Sequence, residues 1–105
     1  MAVRSVKSKK EFKEILDNVS KVAVDFNASW CGSCKAMNPI FEKLAKDHSD
    51  ITFLSVDVDE ASELAQEQEI TSMPTFKFFD NGKAVDTVVG AKKQALEHSM
   101  DSFCS

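Results

Sequence analysis

No stretch of the 105-residue chain is apolar for the roughly 20 residues that a bilayer-spanning helix needs. The first dozen residues, Met1 to Phe12, are polar and lack the continuous apolar run of a secretory leader, so none is expected. Cysteine is scarce. Three of them, an odd number, are too few for a disulfide scaffold. These lacks point together to a reducing compartment, most simply the cytoplasm. Internal repeats, low-complexity segments and linkers are also missing, so one domain over residues 1–105 is expected. Nor is there an excess of positive charge. The net charge of -4 argues against nucleic acid or an anionic membrane as the main partner. Lys7, Lys9, Lys10 and Lys13 cluster, but Glu11 and Glu14 are interleaved with them, which reads as a solvated helix face.

What is present is the composition of an ordinary globular protein, 43% hydrophobic and 29% charged. A chain this long buries a real core without structural disulfides or a metal. A short strand is expected over Ala2–Val6. Ser8 and Glu11 then form a capping-box pattern opening a helix to about Asn18, with Phe12, Ile15, Leu16 and Val19 on one face. Lys21–Phe26 is a dense apolar run broken only by Asp25, the pattern of a strand buried on both faces. A loop ends at Cys31. The next helix reaches about His48, with Met37, Ile40, Phe41 and Leu44 inward and a kink expected at Pro39.

Ile51–Val58 reads as a second buried strand, and Asp57 or Asp59 is placed to cap a helix over roughly Glu60–Glu67. Thr75–Phe79 and Ala84–Val89 are strands joined through Asp80-Asn81-Gly82, a strong hairpin signal. After Gly90 comes a last helix with Leu96, Met100 and Phe103 at helical spacing. Alternating strands and helices imply parallel crossovers, and the hairpin adds antiparallel strands. The class is therefore α/β, a mixed sheet covered by helices on both faces.

Cys31 and Cys34 stand three residues apart where a buried strand turns into a helix. On a helical turn such positions lie about 5–6 Å apart at Cβ, so a small adjustment closes or opens a disulfide. The helix N-terminus offers unpaired N–H groups and a positive dipole end, which favour the nucleophilic thiolate. Cys31, at the start, is expected to be the exposed attacking sulfur. Cys34, one turn in, is the sheltered resolving thiol. Lys35 adds positive charge nearby or simply points to solvent. Half a zinc site is the competing reading. Zinc wants four ligands, and the spare soft ligands His48, His98 and Cys104 form no second close pair in sequence. The histidines are expected near helix C-termini instead. No metal is expected.

Val24-Asp25-Phe26, Trp30-Cys31-Gly32-x-Cys34-Lys35, Pro39, Val56-Asp57-Val58-Asp59, Met73-Pro74-Thr75 and Gly90-Ala91 together resemble the thioredoxin family, in order and in spacing. The match runs from the first helix to the last and looks most like the compact cytosolic members of animals. It implies the thioredoxin fold, a central mixed five-stranded sheet flanked by four helices. It also implies roles: Cys31 as nucleophile, Cys34 as resolving cysteine and buried Asp25 as proton acceptor and donor for Cys34. Pro74 would be cis and face the cysteines, and the Met73 backbone would pair with an extended substrate segment. Trp30, Gly32, Ser33, Lys35, Met73, Pro74 and Gly90 would form the docking and pKa-tuning set. Blander readings stand beside these: Trp30 as core packing, Pro74 as a proline opening a strand, Asp25 as a satisfied buried polar group. Two positions depart from the family. Ser33 stands where proline is usual, giving Cys-Gly-Ser-Cys, and Ser55 stands where many members carry a charged residue beside the aspartate.

The activity so implied is reduction of protein disulfides by dithiol–disulfide exchange, cycling through a redox-active Cys31–Cys34 disulfide with no bound cofactor. The implied partners are an NADPH-dependent thioredoxin reductase and disulfide-containing substrates such as peroxiredoxin-type, methionine sulfoxide reductase-type or ribonucleotide reductase-type enzymes. A binding module of the same fold without turnover is the alternative from another class. It has no need of both cysteines, Asp25 and the Met73-Pro74 turn. Cys104, near the chain end, is expected to be an accessible thiol of ordinary reactivity. It is either incidental, leaving a monomer, or able to link two chains on oxidation.

Overall fold

The computed structural model describes residues 2–104. Nine elements run in chain order: β1 (Val3–Ser5), α1 (Lys9–Asn18), β2 (Lys21–Asn27), α2 (Gly32–Asp47), β3 (Thr52–Asp57), α3 (Ser62–Glu67), β4 (Thr75–Asp80), β5 (Lys83–Val89) and α4 (Lys93–Cys104). The five strands form one sheet in the order β1-β3-β2-β4-β5. β3 is parallel to β1 and β2, while β4 is antiparallel to β2 and β5. The expected mixed sheet and element order are thus present.

β2 is the central strand, and its residues divide between two cores. Val22, Val24 and Phe26 pack with Phe12 and Ile15 of α1, Leu54 and Val56 of β3 and Leu64 of α3. Ala23 faces the other way, with Met37, Phe41 and Ala45 of α2 and Leu96, Met100 and Phe103 of α4. Side chains alternate along a strand, so Asp25 shares the α2–α4 face with Ala23. Burial on both faces is why the run reads as continuously apolar. Phe41 holds α2 down between Phe53 and Phe76, at ring-centroid distances of 5.2 and 5.5 Å. Its truncation to alanine should cost roughly 3–5 kcal/mol.

Local signals account for most boundaries. Ser8 Oγ accepts the Glu11 N–H at 3.1 Å and starts α1. The reciprocal half of the box is displaced by one residue, because Glu11 Oε1 accepts from the Lys7 N–H at 3.2 Å. The β4–β5 hairpin turns on Asn81 and Gly82, both left-handed at φ 51° and 83°. Two successive left-handed residues make the turn whose twist matches the flanking strands, which is why Asn-Gly serves.

Some expectations are corrected. β1 and β3 are each shorter by one residue at both ends than read from sequence. α3 begins at Ser62, not near Glu60, and neither aspartate is its N-cap. Asp57 Oδ1 instead accepts the N–H groups of Asp59 and Glu60 at 2.8 and 3.3 Å, holding them in a turn before the helix. Asp59 is used elsewhere. Ile40 and Leu44 are only half-buried at the margin of the core. His48 does sit at a helix end, as the C-cap of α2, but His98 is exposed inside α4.

Candidate active site

The site forms where β2 ends and α2 begins. Cys31 is the N-cap residue of α2, and its side chain does what a capping oxygen usually does: Sγ accepts the Cys34 N–H at 3.2 Å. Ser33 Oγ lies 3.3 Å from the same sulfur. Both contacts favour negative charge there, and the Cys31 thiol is lowered from its ordinary value, first through Cys34 and then through Ser33. Lys35 is exposed, and its backbone N–H bonds the Cys31 carbonyl at 3.3 Å. Both thiols are free.

Cys34 is the contrary case. Burial is the largest cause, and with the neighbouring Cys31 sulfur it pushes the Cys34 thiol up to about 12. The two sulfurs therefore differ, one lowered by the hydrogen bonds it receives and the other raised by burial. Their exposure differs less than expected. Cys31 keeps only 7% of its surface and Cys34 1%, because both pack with Ala28, Val58 and Met73.

The Met73–Pro74 peptide is cis, and the Met73 carbonyl lies 3.8 Å from Cys31 Sγ. Gly90, at φ 95°, donates its N–H to the Pro74 carbonyl at 2.8 Å and ties the end of β5 to this turn. A Cβ at Gly32 would touch nothing within 4 Å, so that glycine leaves open space beside the cysteines rather than filling a packed one. Trp30 is 66% exposed, which removes the core-packing reading. Its Nε1–H donates to Asp59 Oδ2 at 2.8 Å. That partnership was not read from sequence, where Asp59 looked like a helix cap.

Asp25 is buried on the α2 face, and its Oδ1 has no hydrogen-bond partner among the described residues. It is therefore not a satisfied core group. Burial raises its carboxyl from 3.8 to about 7, with Asn27 acting weakly the other way. Its charge is also among the influences that raise Cys34. Near neutrality such a carboxyl takes and returns a proton readily, as a general acid–base group must.

Cys104 is not the accessible terminal thiol expected. It is half-buried against the α2–α4 core, with Sγ 3.2 Å from His48 Nδ1, and burial raises its thiol. The contact spans 56 positions, beyond the reach of spacing rules. Among the described residues no group of three or more His, Cys, Asp or Glu side chains is placed to hold a metal ion.

A dithiol at a helix N-terminus, beside a cis Met73–Pro74 turn on a mixed five-stranded sheet, defines the thioredoxin class of protein-disulfide oxidoreductases. The thioredoxin family model matches residues 3–102, and the chain belongs to that family. Thioredoxin 1 of Plasmodium falciparum (isolate 3D7) is 43% identical over 103 residues, covering 98% of this chain and 99% of that one. Thioredoxin of Homo sapiens is 43% identical over 103 residues, 96% of this chain and 98% of its own. A solved chain from work on the thiol-resolving mechanism of yeast mitochondrial 1-Cys peroxiredoxin via glutathione/thioredoxin systems superposes with a TM-score of 0.91. That chain is 34% identical, over 95% of this chain and 94% of its own.

Proposed function

We propose that the protein reduces protein disulfides with Cys31 as nucleophile, Cys34 as resolving thiol and Asp25 as the base that frees Cys34. The observation that carries the assignment is geometric: Cys31 Sγ caps α2 and accepts the Cys34 N–H at 3.2 Å, while the Cys34 thiol is buried behind it. The Cys31 thiolate attacks one sulfur of a substrate disulfide, the substrate's sulfur–sulfur bond breaks, and a mixed disulfide forms. Cys34 passes its proton to the Asp25 carboxylate and attacks Cys31. The Cys31–Cys34 bond forms as the second substrate thiolate leaves. Two electrons have moved from the dithiol to the substrate.

Substrate docks on the surface around Trp30, Gly32, Met73, Pro74 and Gly90. The open space at Gly32 and the exposed indole admit a partner's chain. Ser33 tunes the thiolate, and Lys35 faces solvent at the rim. We infer a cytoplasmic, monomeric protein of one domain, working without a bound cofactor and recycled by an NADPH-dependent thioredoxin reductase. Substrates of the peroxiredoxin type are favoured by the yeast 1-Cys peroxiredoxin study in which a similar chain occurs. Methionine sulfoxide reductase-type and ribonucleotide reductase-type enzymes form disulfides of the same chemistry.

The experiment is reduction of insulin by the protein with dithiothreitol as electron source. Turnover that depends on Cys31 and Cys34 is the result expected. Binding of disulfide proteins without turnover would leave only a binding module.

A further inference from the structure

Asp25 lies deep, and the docking face above the cysteines is covered whenever a protein substrate is attached. The carboxyl still has to return the proton it takes from Cys34. The strand registers show where that proton can go. Asp25 is the register partner of Ser55 on β3, and Ser55 is the partner of Ser5 on β1. One polar row therefore crosses three strands to the sheet edge. The next row on the same face, Ala23, Phe53 and Val3, is wholly apolar. Asn38 and Glu42, four residues apart on α2, lie over the polar row. Together these residues line a cavity of about 240 Å³, completed by Val3 and Phe41. Exposure rises along it, from buried Asp25 through half-buried Ser55 and Glu42 to exposed Ser5 and Asn38. At about 30 Å³ per water the space holds several waters, and its polar walls suit them.

We propose that Asp25 exchanges its proton with solvent sideways, through this cavity at the β1 edge, with Glu42 as the relay group, so that the carboxyl is reset while substrate still covers the cysteine face. The inference rests on the assignment of Cys31, Cys34 and Asp25 above. The bookkeeping closes. While the mixed disulfide is intact Asp25 takes the Cys34 proton and passes it through the cavity to bulk water; the Cys34 thiolate then attacks Cys31, the Cys31–Cys34 bond forms, and the substrate thiolate leaves with its electron pair. The groups that face Asp25 are Cys34 and Glu42 from α2, Ser55 from β3 and Phe76 from β4, with Ser5 beyond. Glu42 is the one charged group besides Asp25 lining the cavity among the described residues. A carboxyl raised to about 7 suits such exchange near neutral pH.

The test is single-turnover kinetics on the full chain, with Trp30 fluorescence resolving formation of the mixed disulfide from its resolution. Glu42→Gln removes the relay without changing shape, and Asn38→Leu plugs the mouth at an exposed position. Both should slow resolution about fivefold or more while leaving formation within about twofold, since proton transfer by positioned groups contributes at least that much. Formate, small enough to enter, should restore resolution in Glu42→Gln and fail to do so in the plugged variant. Unchanged resolution in both variants, equal loss in both steps, or absence of formate rescue overturns the proposal. A wild-type chain that forms no mixed disulfide at Cys31 would overturn the site assignment and the proposal with it.

Discussion

Cys34 donates its backbone N–H to the sulfur of Cys31 at 3.2 Å, while its own thiol is buried and held protonated. One residue thus donates a hydrogen bond to the sulfur of its neighbour while its own thiol stays covered. The helix start supplies the donor, and the apolar packing of the second thiol supplies the delay.

Ser33 adds a hydroxyl 3.3 Å from the Cys31 sulfur, where a proline would add nothing. Stabilising the thiolate stabilises the reduced form and makes the protein a better oxidant. Ser33→Pro should therefore make it more reducing, by on the order of 10–30 mV, since about 30 mV is tenfold in the two-electron equilibrium. Equilibration against glutathione measures this. An unchanged potential would show that the hydroxyl does not act on the thiolate.

Asp25 should make stability depend on pH. Its folded pKa, about 7, lies above the ordinary value of 3.8, so the native state binds the extra proton between them. Stability is full below about 3.8, falls as pH rises through the window and is flat above about 7. At about 1.4 kcal/mol per pH unit the penalty approaches roughly 4 kcal/mol. Asp25→Ala should flatten the curve and raise stability at pH 8 in urea melts, against a small cavity cost. Resolution of the mixed disulfide should slow in the same variant. A variant less stable than the wild type at pH 8 would contradict the burial argument.

Trp30 and Asp59 make a separable pair on the surface. Asp59→Ala releases the indole, so the fluorescence of this sole tryptophan should shift and the KM for a protein substrate should rise a few-fold. Stability should change by no more than about 0.5 kcal/mol, as for most exposed positions. A fall in kcat at constant KM would instead place Asp59 in the chemistry.

Cys104 is half-buried beside His48, and burial raises its thiol. Alkylation by iodoacetamide near neutral pH should modify Cys31 first, and Cys104 more than about tenfold more slowly, because the thiolate is the reacting species. Cys104→Ser should keep full reductase activity and remove any dimer band seen on a non-reducing gel after mild peroxide. A dimer surviving that substitution would place the link at Cys31.

The order of elements and the cysteine site are legible in the chain because local rules govern them. A serine cap, an Asn-Gly turn and a buried run each carry their signal within a few residues. Relationships between distant segments are not. Asp59 bonds Trp30 rather than capping α3, since Asp57 already holds the intervening turn. His48 meets Cys104 only because α2 and α4 pack on the same face. The row Ser5-Ser55-Asp25 depends on strand register, which hydrophobic pattern alone leaves open along strands buried on both faces.

The division of labour between the two thiols is tested most directly by trapping. Cys34→Ser is mixed with an excess of a disulfide-containing protein substrate, and the adduct is read by mass spectrometry beside Cys31→Ser. Cys34→Ser should accumulate a stoichiometric mixed disulfide at Cys31 and turn over no further, while Cys31→Ser captures nothing. Capture by Cys31→Ser, or continued turnover by Cys34→Ser, would contradict the assignment.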